Sequence, residues 1–187
     1  MTEQQEKRLA MIPTLVENSP NQQIGRTALM KYMYFLQTLR QVPLGYRFTL
    51  YSYGPFDSTV LADLSVAESL RAVTSKINLY SGGYGYEIST DEKSNWLKKR
   101  AEKFVSRHEK DVRWVLKKFG KLNSAHLELV STIIYVDREA MERGKKLSLQ
   151  SLSRQVHEIK PHFNEADIVH FAEGLAKDKL LDAVVSH

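Results

Sequence analysis

The sequence predicts a mainly α fold with a minor β part, and three observations carry that reading. About thirty residues from Asp91 to Lys121 contain no Gly or Pro until Gly120, enough for one long helix. Ahead of them, apolar stripes at helical spacing lead to β-branched and aromatic residues on either side of Ser81-Gly82-Gly83. That is a hairpin signal, because glycines supply the positive φ of tight turns. Behind them, three further stripes each follow a capping residue.

A first helix over about residues 4–17 can bury Leu9, Ile12, Leu15 and Val16, with Pro13 expected to kink or restart it. After a turn through Asn18, Ser19, Pro20 and Asn21, Gly25 precedes Thr27, which is placed to cap a second helix to about Arg40. Leu29, Met33, Leu36 and Leu39 form its buried stripe, and Pro43 and Gly45 end it. Tyr46 to Tyr51 alternates large apolar and polar groups as a half-buried strand does. Gly54-Pro55 stops that strand, with Pro55 expected in the first turn of a third helix capped by Asp57 or Ser58 and running to about Arg71. Val60, Leu61, Leu64 and Leu70 face inward. Three helices with a strand and a terminal hairpin over 73–88 match a winged helix.

At helical spacing, Leu97, Ala101, Phe104, Val105, His108, Val112, Val115, Leu116 and Phe119 share one face of the long helix, while Lys99, Lys103, Arg107, Lys110, Lys117 and Lys121 fall opposite. Residues 91–121 hold eleven basic against five acidic side chains, in a chain whose net charge is +5, so the positive charge is local. After Gly120, Ser124 can cap a helix through Leu127, Val130, Ile133, Ile134 and Val136, with Gly144 just past its end. Ser148 or Ser151 opens a shorter helix ending before Pro161. Asn164 caps the last one, with Asp167 three residues on and Phe163 placed to staple against Ile168. The expected organisation is a winged-helix-like N-terminal unit with a β-hairpin wing over 1–90, a long central amphipathic helix over 91–121, and a trihelical, winged-helix-like C-terminal unit over 122–187.

The chain of 187 residues has no cysteine, which excludes disulfides, thiolate zinc sites and cysteine nucleophiles and fits a reducing cytoplasm. The start mixes Glu3, Glu6, Lys7 and Arg8 with few apolar residues, unlike a signal peptide, and no later run reaches membrane-spanning length. A soluble, cytoplasmic protein is expected, with no membrane partner.

Three short motifs carry a family resemblance: Ile24-Gly25-Arg26-Thr27 entering an apolar helix with Lys31, Tyr53-Gly54-Pro55-Phe56-Asp57 with Asp63-Leu64, and Lys160-Pro161-His162-Phe163 before the last helix. Over about residues 8–180 the chain resembles the YwgA-like proteins of bacteria and archaea. More distantly it is similar to the Panacea domain of certain antitoxins and proteolytic adaptors, with Phe56 where the Panacea pattern has a small aliphatic residue. The resemblance implies a winged-helix-like core and a regulatory or adaptor role without catalytic residues.

Two surfaces could bind. Trp96 and Trp114 are eighteen residues apart, and the helical wheel sets both indoles amid the basic stripe. Exposed, they would suit base stacking or a protein anchor. The plainer alternative packs Trp96 on the N-terminal half and Trp114 on the C-terminal half. Tyr80, Tyr84 and Tyr86 flank the hairpin turn, where cross-strand packing competes with a contact role, and with Lys76 and Asn78 they make the best contact surface of the first half.

The third helix offers Asp57, Asp63 and Glu68 with only Arg71 basic, and the last offers Glu165, Asp167 and Glu173 against Lys177. Neither suits the major groove. Nucleic acid would therefore meet Lys99, Lys103, Arg107, Lys110, Trp114 and Lys117, non-specifically and with strong salt dependence.

Catalytic patterns are absent. His108, His126, His157, His162, His170 and His187 form no recognised metal-ligand spacing, no phosphate loop or nucleophile elbow occurs, and no cofactor is implied. Asp91-Glu92-Lys93 with upstream Asp57 superficially matches a metal-dependent nuclease, but reads better as a helix start. The expectation is a non-catalytic binding or regulatory module, first a protein adaptor or antitoxin-like regulator and second a nucleic-acid-binding regulator using the basic helix.

Overall fold

A computed structural model describes residues 1–80 and 83–185. The expected turn residues Ser81 and Gly82, the Tyr80 side chain and His187 lie outside the described residues. The helices are α1 (Glu3–Asn18), α2 (Arg26–Arg40), α3 (Ser58–Ser69), α4 (Ser94–Arg100), α5 (Glu102–Phe119), α6 (Ser124–Glu142), α7 (Leu149–Ile159) and α8 (Glu165–Lys177). Between them run β1 (Gln23–Ile24), β2 (Thr49–Tyr51), β3 (Gly54–Phe56), β4 (Val73–Tyr80) and β5 (Gly83–Thr90). The protein is mainly α with a small antiparallel sheet. Contacts divide the chain into unit 1, residues 1–49 and 56–124, and unit 2, residues 50–55 and 125–187. This division differs from the expected one in two ways: the long helical segment belongs to unit 1, and residues 50–55 belong to unit 2.

Unit 1 has the element order of a winged helix. The β4–β5 hairpin forms the wing, and β1 adds to β5 through Ile24 opposite Ile88, giving strand order β1-β5-β4. Because β1 leads straight into α2, the sheet sets the helix entry. Gly25 is accordingly the N-cap and has no side-chain capping bond, correcting the expectation for Thr27. Helix α1 continues through Pro13 and is buried at every position from Leu9 to Val16. Packing on all sides offsets the backbone bond that proline cannot make. Leu29, Met33 and Leu36 of α2 and Val60, Leu64 and Ala67 of α3 complete the core with Phe35, whose ring stacks on Phe119 at 4.2 Å. Each fully buried side chain of this size contributes roughly 1.5–3 kcal/mol.

The long rod is not continuous. Ala101 adopts φ −126° and ψ 36°, ending α4 and starting α5, so the expected single helix over 91–121 becomes two beginning at Ser94. The cause is tertiary. Glu17 of α1 accepts from Ser94 and pairs with Lys98, and Glu6 of α1 pairs with Arg100, so α4 is tied down before α5 begins. Leu97 from α4 and Phe104 and Val112 from α5 are all buried, so the apolar face expected of the segment stays inward across the break.

The segment from Tyr46 to Tyr51 shows the expected alternation, with Tyr46 buried and Phe48 and Leu50 half-buried between exposed Arg47, Thr49 and Tyr51. It joins no ladder until Thr49, so the strand is shorter than expected. Gly54-Pro55-Phe56 forms β3 rather than the opening turn of α3, whose N-cap is Asp57. Burial disfavours the Asp57 carboxylate, but backbone N–H bonds from Arg47 and Thr59 and the nearby Arg8 charge outweigh it and lower its pKa.

Unit 2 is trihelical. Helix α6 is buried at every position from Leu127 to Ile134, and Leu152, Val156, Ile168, Ala172 and Leu175 from α7 and α8 are buried in the same unit. Ser148 caps α7, and Asn164 caps α8 by accepting from the Asp167 N–H at 2.7 Å. The buried Asp137 carboxylate accepts N–H bonds from Asp182 and Ala183, fastening the tail.

Candidate functional site

The wing presents the clearest contact surface. Period-two alternation puts Val73, Ser75, Ile77 and Leu79 of β4 on one face with Thr90, Ile88, Tyr86 and Tyr84 of β5 opposite them. Near the base this face is core, with Val73 and Ile88 fully or almost fully buried. Towards the tip it outruns the core: Ile77 is 61% exposed, Leu79 83% and Tyr84 67%. Tyr84 and Tyr86 meet edge to face at 6.0 Å, so the face is a continuous apolar strip rather than isolated side chains. At its inner end the Arg26 guanidinium, from the first residue of α2, lies 3.4 Å over the Tyr86 ring. Its Nε is buried without a hydrogen-bond acceptor.

Of the expected hairpin contacts, the structure brings Tyr84 and Tyr86 together and places Lys76 on the opposite face, where it pairs in register with Glu87. Neighbouring Asn78 donates to the Glu87 carboxylate. The sequence reading missed Ile77, Leu79 and Arg26. Apolar residues continuing in alternation up to the glycine turn, farther than a small core can reach, were the available signal.

The second surface is the basic stripe. Lys103, Arg107, Lys110 and Lys117 are exposed along α5, and Lys99 is exposed on α4 across the Ala101 break. Other cations of the segment are engaged: Lys98 with Glu17, Arg100 with Glu6 and Arg113 with Glu109. Trp96 is 44% exposed with the Arg100 guanidinium 5.5 Å from its ring centroid. Trp114 is half-buried, edge-on to Phe119 with Arg40 over its ring, so its own unit holds this indole. The plainer sequence reading packed Trp96 on the N-terminal half and Trp114 on the C-terminal half; instead Trp96 is partly exposed and able to stack on a partner, and Trp114 is held by Phe119 and Arg40 of unit 1. His108 is a satisfied histidine, its Nδ1 2.9 Å from Asp111 Oδ2.

Helix α3 exposes Ser58, Ala62, Ser65 and Ser69. The acids expected to repel phosphates are engaged elsewhere: Asp57 caps the helix, Glu68 bonds Ser75, and Asp63 is buried. Arg71, the one cation near its end, pairs with Asp91 and Glu92. A neutral face of small side chains has no charged donors for base edges or phosphates.

Tyr53-Gly54-Pro55 and Lys160-Pro161-His162-Phe163, from two of the motifs that carried the family resemblance, meet in unit 2, whereas Ile24-Gly25-Arg26-Thr27 lies in unit 1. Lys160 is 4% exposed, and its Nζ donates to the carbonyls of Tyr51 (3.3 Å) and Ser52 and pairs with Glu128 Oε1 at 2.9 Å. His162 Nε2 stands 3.4 Å from the same oxygen. Gly54 has φ +84° and lies so close to α6 that a Cβ would come within 3.0 Å of Ser131 Oγ and 3.1 Å of Thr132 Oγ1. The ammonium donates to two carbonyls and is paired in charge with Glu128, whose Oε1 makes no hydrogen bond of good geometry, so this cluster reads as a clasp holding residues 50–55 in unit 2. Tyr53 and Pro161 are exposed beside these anchors, and Pro55 is buried.

Among the described residues no group of three or more His, Asp or Glu could hold a metal ion, and no helix is long and apolar enough to cross a membrane. Fold and surfaces together define a mainly helical protein with a winged-helix-ordered unit whose wing carries the exposed apolar surface. No family model matches the chain, and no curated protein matches it.

Proposed function

We propose that the protein is a non-catalytic binding and regulatory module of the cytoplasm, an adaptor or antitoxin-like regulator that recognises another protein through its wing. The observation that supports this reading is the exposure of Ile77, Leu79 and Tyr84 on one face of a two-stranded ribbon. Exposed apolar strips beside polar surroundings are what protein interfaces use as their centre, and aromatic residues are enriched there. The resemblance of the short motifs to YwgA-like and, more distantly, Panacea-domain proteins points the same way. Affinity capture from the native cell with the wild-type protein and with an Ile77→Ser/Leu79→Ser variant tests it. One partner in near-stoichiometric yield, lost from the variant, is expected. A bait that emerges alone, or a partner retained equally by the variant, would remove the wing from the account.

A second reading, nucleic-acid binding, is favoured by the exposed cations of α4 and α5 that make no ion pair among the described residues. Here affinity would come from phosphates and carry little sequence preference. For a 20-base-pair duplex, the logarithm of affinity should fall linearly with the logarithm of salt. A Lys99→Glu/Lys103→Glu/Lys110→Glu variant should flatten that slope by about 2.7 if each lysine meets one phosphate. Retention that vanishes near physiological salt, or a slope unchanged by the variant, would reject this reading.

A further inference from the structure

From the chemistry at the inner end of the wing strip we infer the class of segment it takes: an extended piece of another protein that places a carboxylate beside apolar side chains. The inference rests on the reading of the wing as a protein-binding surface and specifies what binds there. Arg26 carries the argument. Among the described residues its guanidinium has one neighbour of note, the Tyr86 ring 3.4 Å beneath it. A ring face attracts the cation but accepts none of its five N–H groups in the geometry a carboxylate offers. The Arg26 Nε–H is withdrawn from solvent with no acceptor, and no carboxylate pairs with the guanidinium among the described residues.

Carboxylates match the planar fork of arginine with two parallel hydrogen bonds, and such bonds are about twice as strong as neutral ones. Glu87, the acid nearest in sequence on the hairpin, points to the other face in register and is taken by Asn78. The chain therefore presents a cation at the closed end of the strip and leaves the anion to the partner. Beyond Arg26 the strip offers only apolar and phenolic contacts, from Ile77 opposite Tyr86 to Leu79 opposite Tyr84. Two residue pairs along a strand span about 7 Å, the spacing of alternate side chains in an extended peptide. A carboxylate on Arg26 would thus lie at the level of Ile77/Tyr86 and set an apolar residue two positions away on Leu79/Tyr84.

Selection from a phage-displayed library of random dodecapeptides against the intact protein tests this, with binding of a selected peptide then measured by fluorescence anisotropy. The enriched pool should pair Asp or Glu with aliphatic or aromatic residues at alternate positions. Arg26→Gln should weaken the selected peptide by about tenfold or more, and Leu79→Ser should weaken it comparably. Both positions reach the surface, and circular dichroism on each variant verifies that the fold persists. An enriched pool that depends on Leu79 but lacks acidic bias, or an affinity unmoved by Arg26→Gln, overturns the carboxylate and leaves the wing reading intact. If no pool depends on Leu79, both fall. Self-association in sedimentation, or oligothymidine binding, that Leu79→Ser abolishes would give the strip to a second copy or to unpaired bases and overturn the inference as well.

Discussion

Replacing Lys160 by Met should destabilise unit 2 by about 3–5 kcal/mol, because it removes one partner of a buried ion pair and leaves the other charged. Glu128 is 7% exposed, and no second lysine or arginine pairs with its carboxylate among the described residues. The carbonyls of Tyr51 and Ser52 would lose their donor at the same time. Chemical denaturation of the variant should show the loss, and limited proteolysis should cut within residues 50–55 faster than in the wild type. The Lys160→Met/Glu128→Leu double variant separates the pair from its surroundings. Without a stranded charge it should recover most of the loss, since a well-packed apolar pair is often as stable as a buried salt bridge. A single variant that loses under about 1 kcal/mol would mean that Lys160 does not clasp the segment, and that the convergence of the Gly54 and Lys160 motifs has another purpose.

Local chemistry was legible in the sequence and tertiary compensation was not. Asn164 was readable as the cap of α8 because the bond it makes, from the Asp167 N–H, lies within its own turn. Thr27 misled because α2 is entered from a strand: the pairing of Ile24 with Ile88 fixes the chain direction so that the cap falls at Gly25, two residues before the threonine. The break at Ala101 has no local mark at all. No Gly or Pro announces it, and the residues that enforce it, Glu6 and Glu17, lie more than eighty positions away in sequence. Alternation identified which side chains between Tyr46 and Tyr51 turn inward, yet it could not say that no ladder would form before Thr49.

The same division governs the surfaces. The basic stripe was visible because charge periodicity on a helix survives a kink, whereas Trp114 was misplaced because its burial depends on Arg40 and Phe119. Hairpin aromatics were found from the glycine turn. Their partition between faces needed the register, which set Lys76 apart from Tyr84 and Tyr86 and joined Ile77 and Leu79 to them. Asp63 and Glu128 each sit within an apolar helical stripe, beside Leu64 and Leu127. A charged residue at a core position is itself a sign of a buried partner, and that sign was available in both helices.

Asp63→Ala should cost about 3–5 kcal/mol in unit 1 for the same physical reason with the sign of charge reversed. The Asp63 carboxylate is 2% exposed, accepts from Arg8 Nε at 2.6 Å and from the Tyr46 hydroxyl at 3.0 Å, and ties α1 and the 41–48 segment to α3. Removing it strands the Arg8 guanidinium, which also lies 5.3 Å over the Tyr46 ring. Tyr46 adds a pH signature that distinguishes this network from ordinary packing. Burial first, and then the Asp63 charge, push the phenol pKa far above its usual value, so folding favours the protonated hydroxyl. A group whose folded pKa is raised contributes its full stability below the unfolded pKa and loses it as pH rises from there towards the folded value. The contribution of Tyr46 to wild-type stability should therefore be complete and independent of pH below about pH 10 and decline above it. Tyr46→Phe, which cannot ionise, should be less stable at neutral pH by about 1–3 kcal/mol, yet show a shallower alkaline decline. Parallel alkaline profiles for the two proteins would mean that Tyr46 is not held as the donor to Asp63, and a neutral-pH loss below about 1 kcal/mol for Asp63→Ala would dissolve the network altogether.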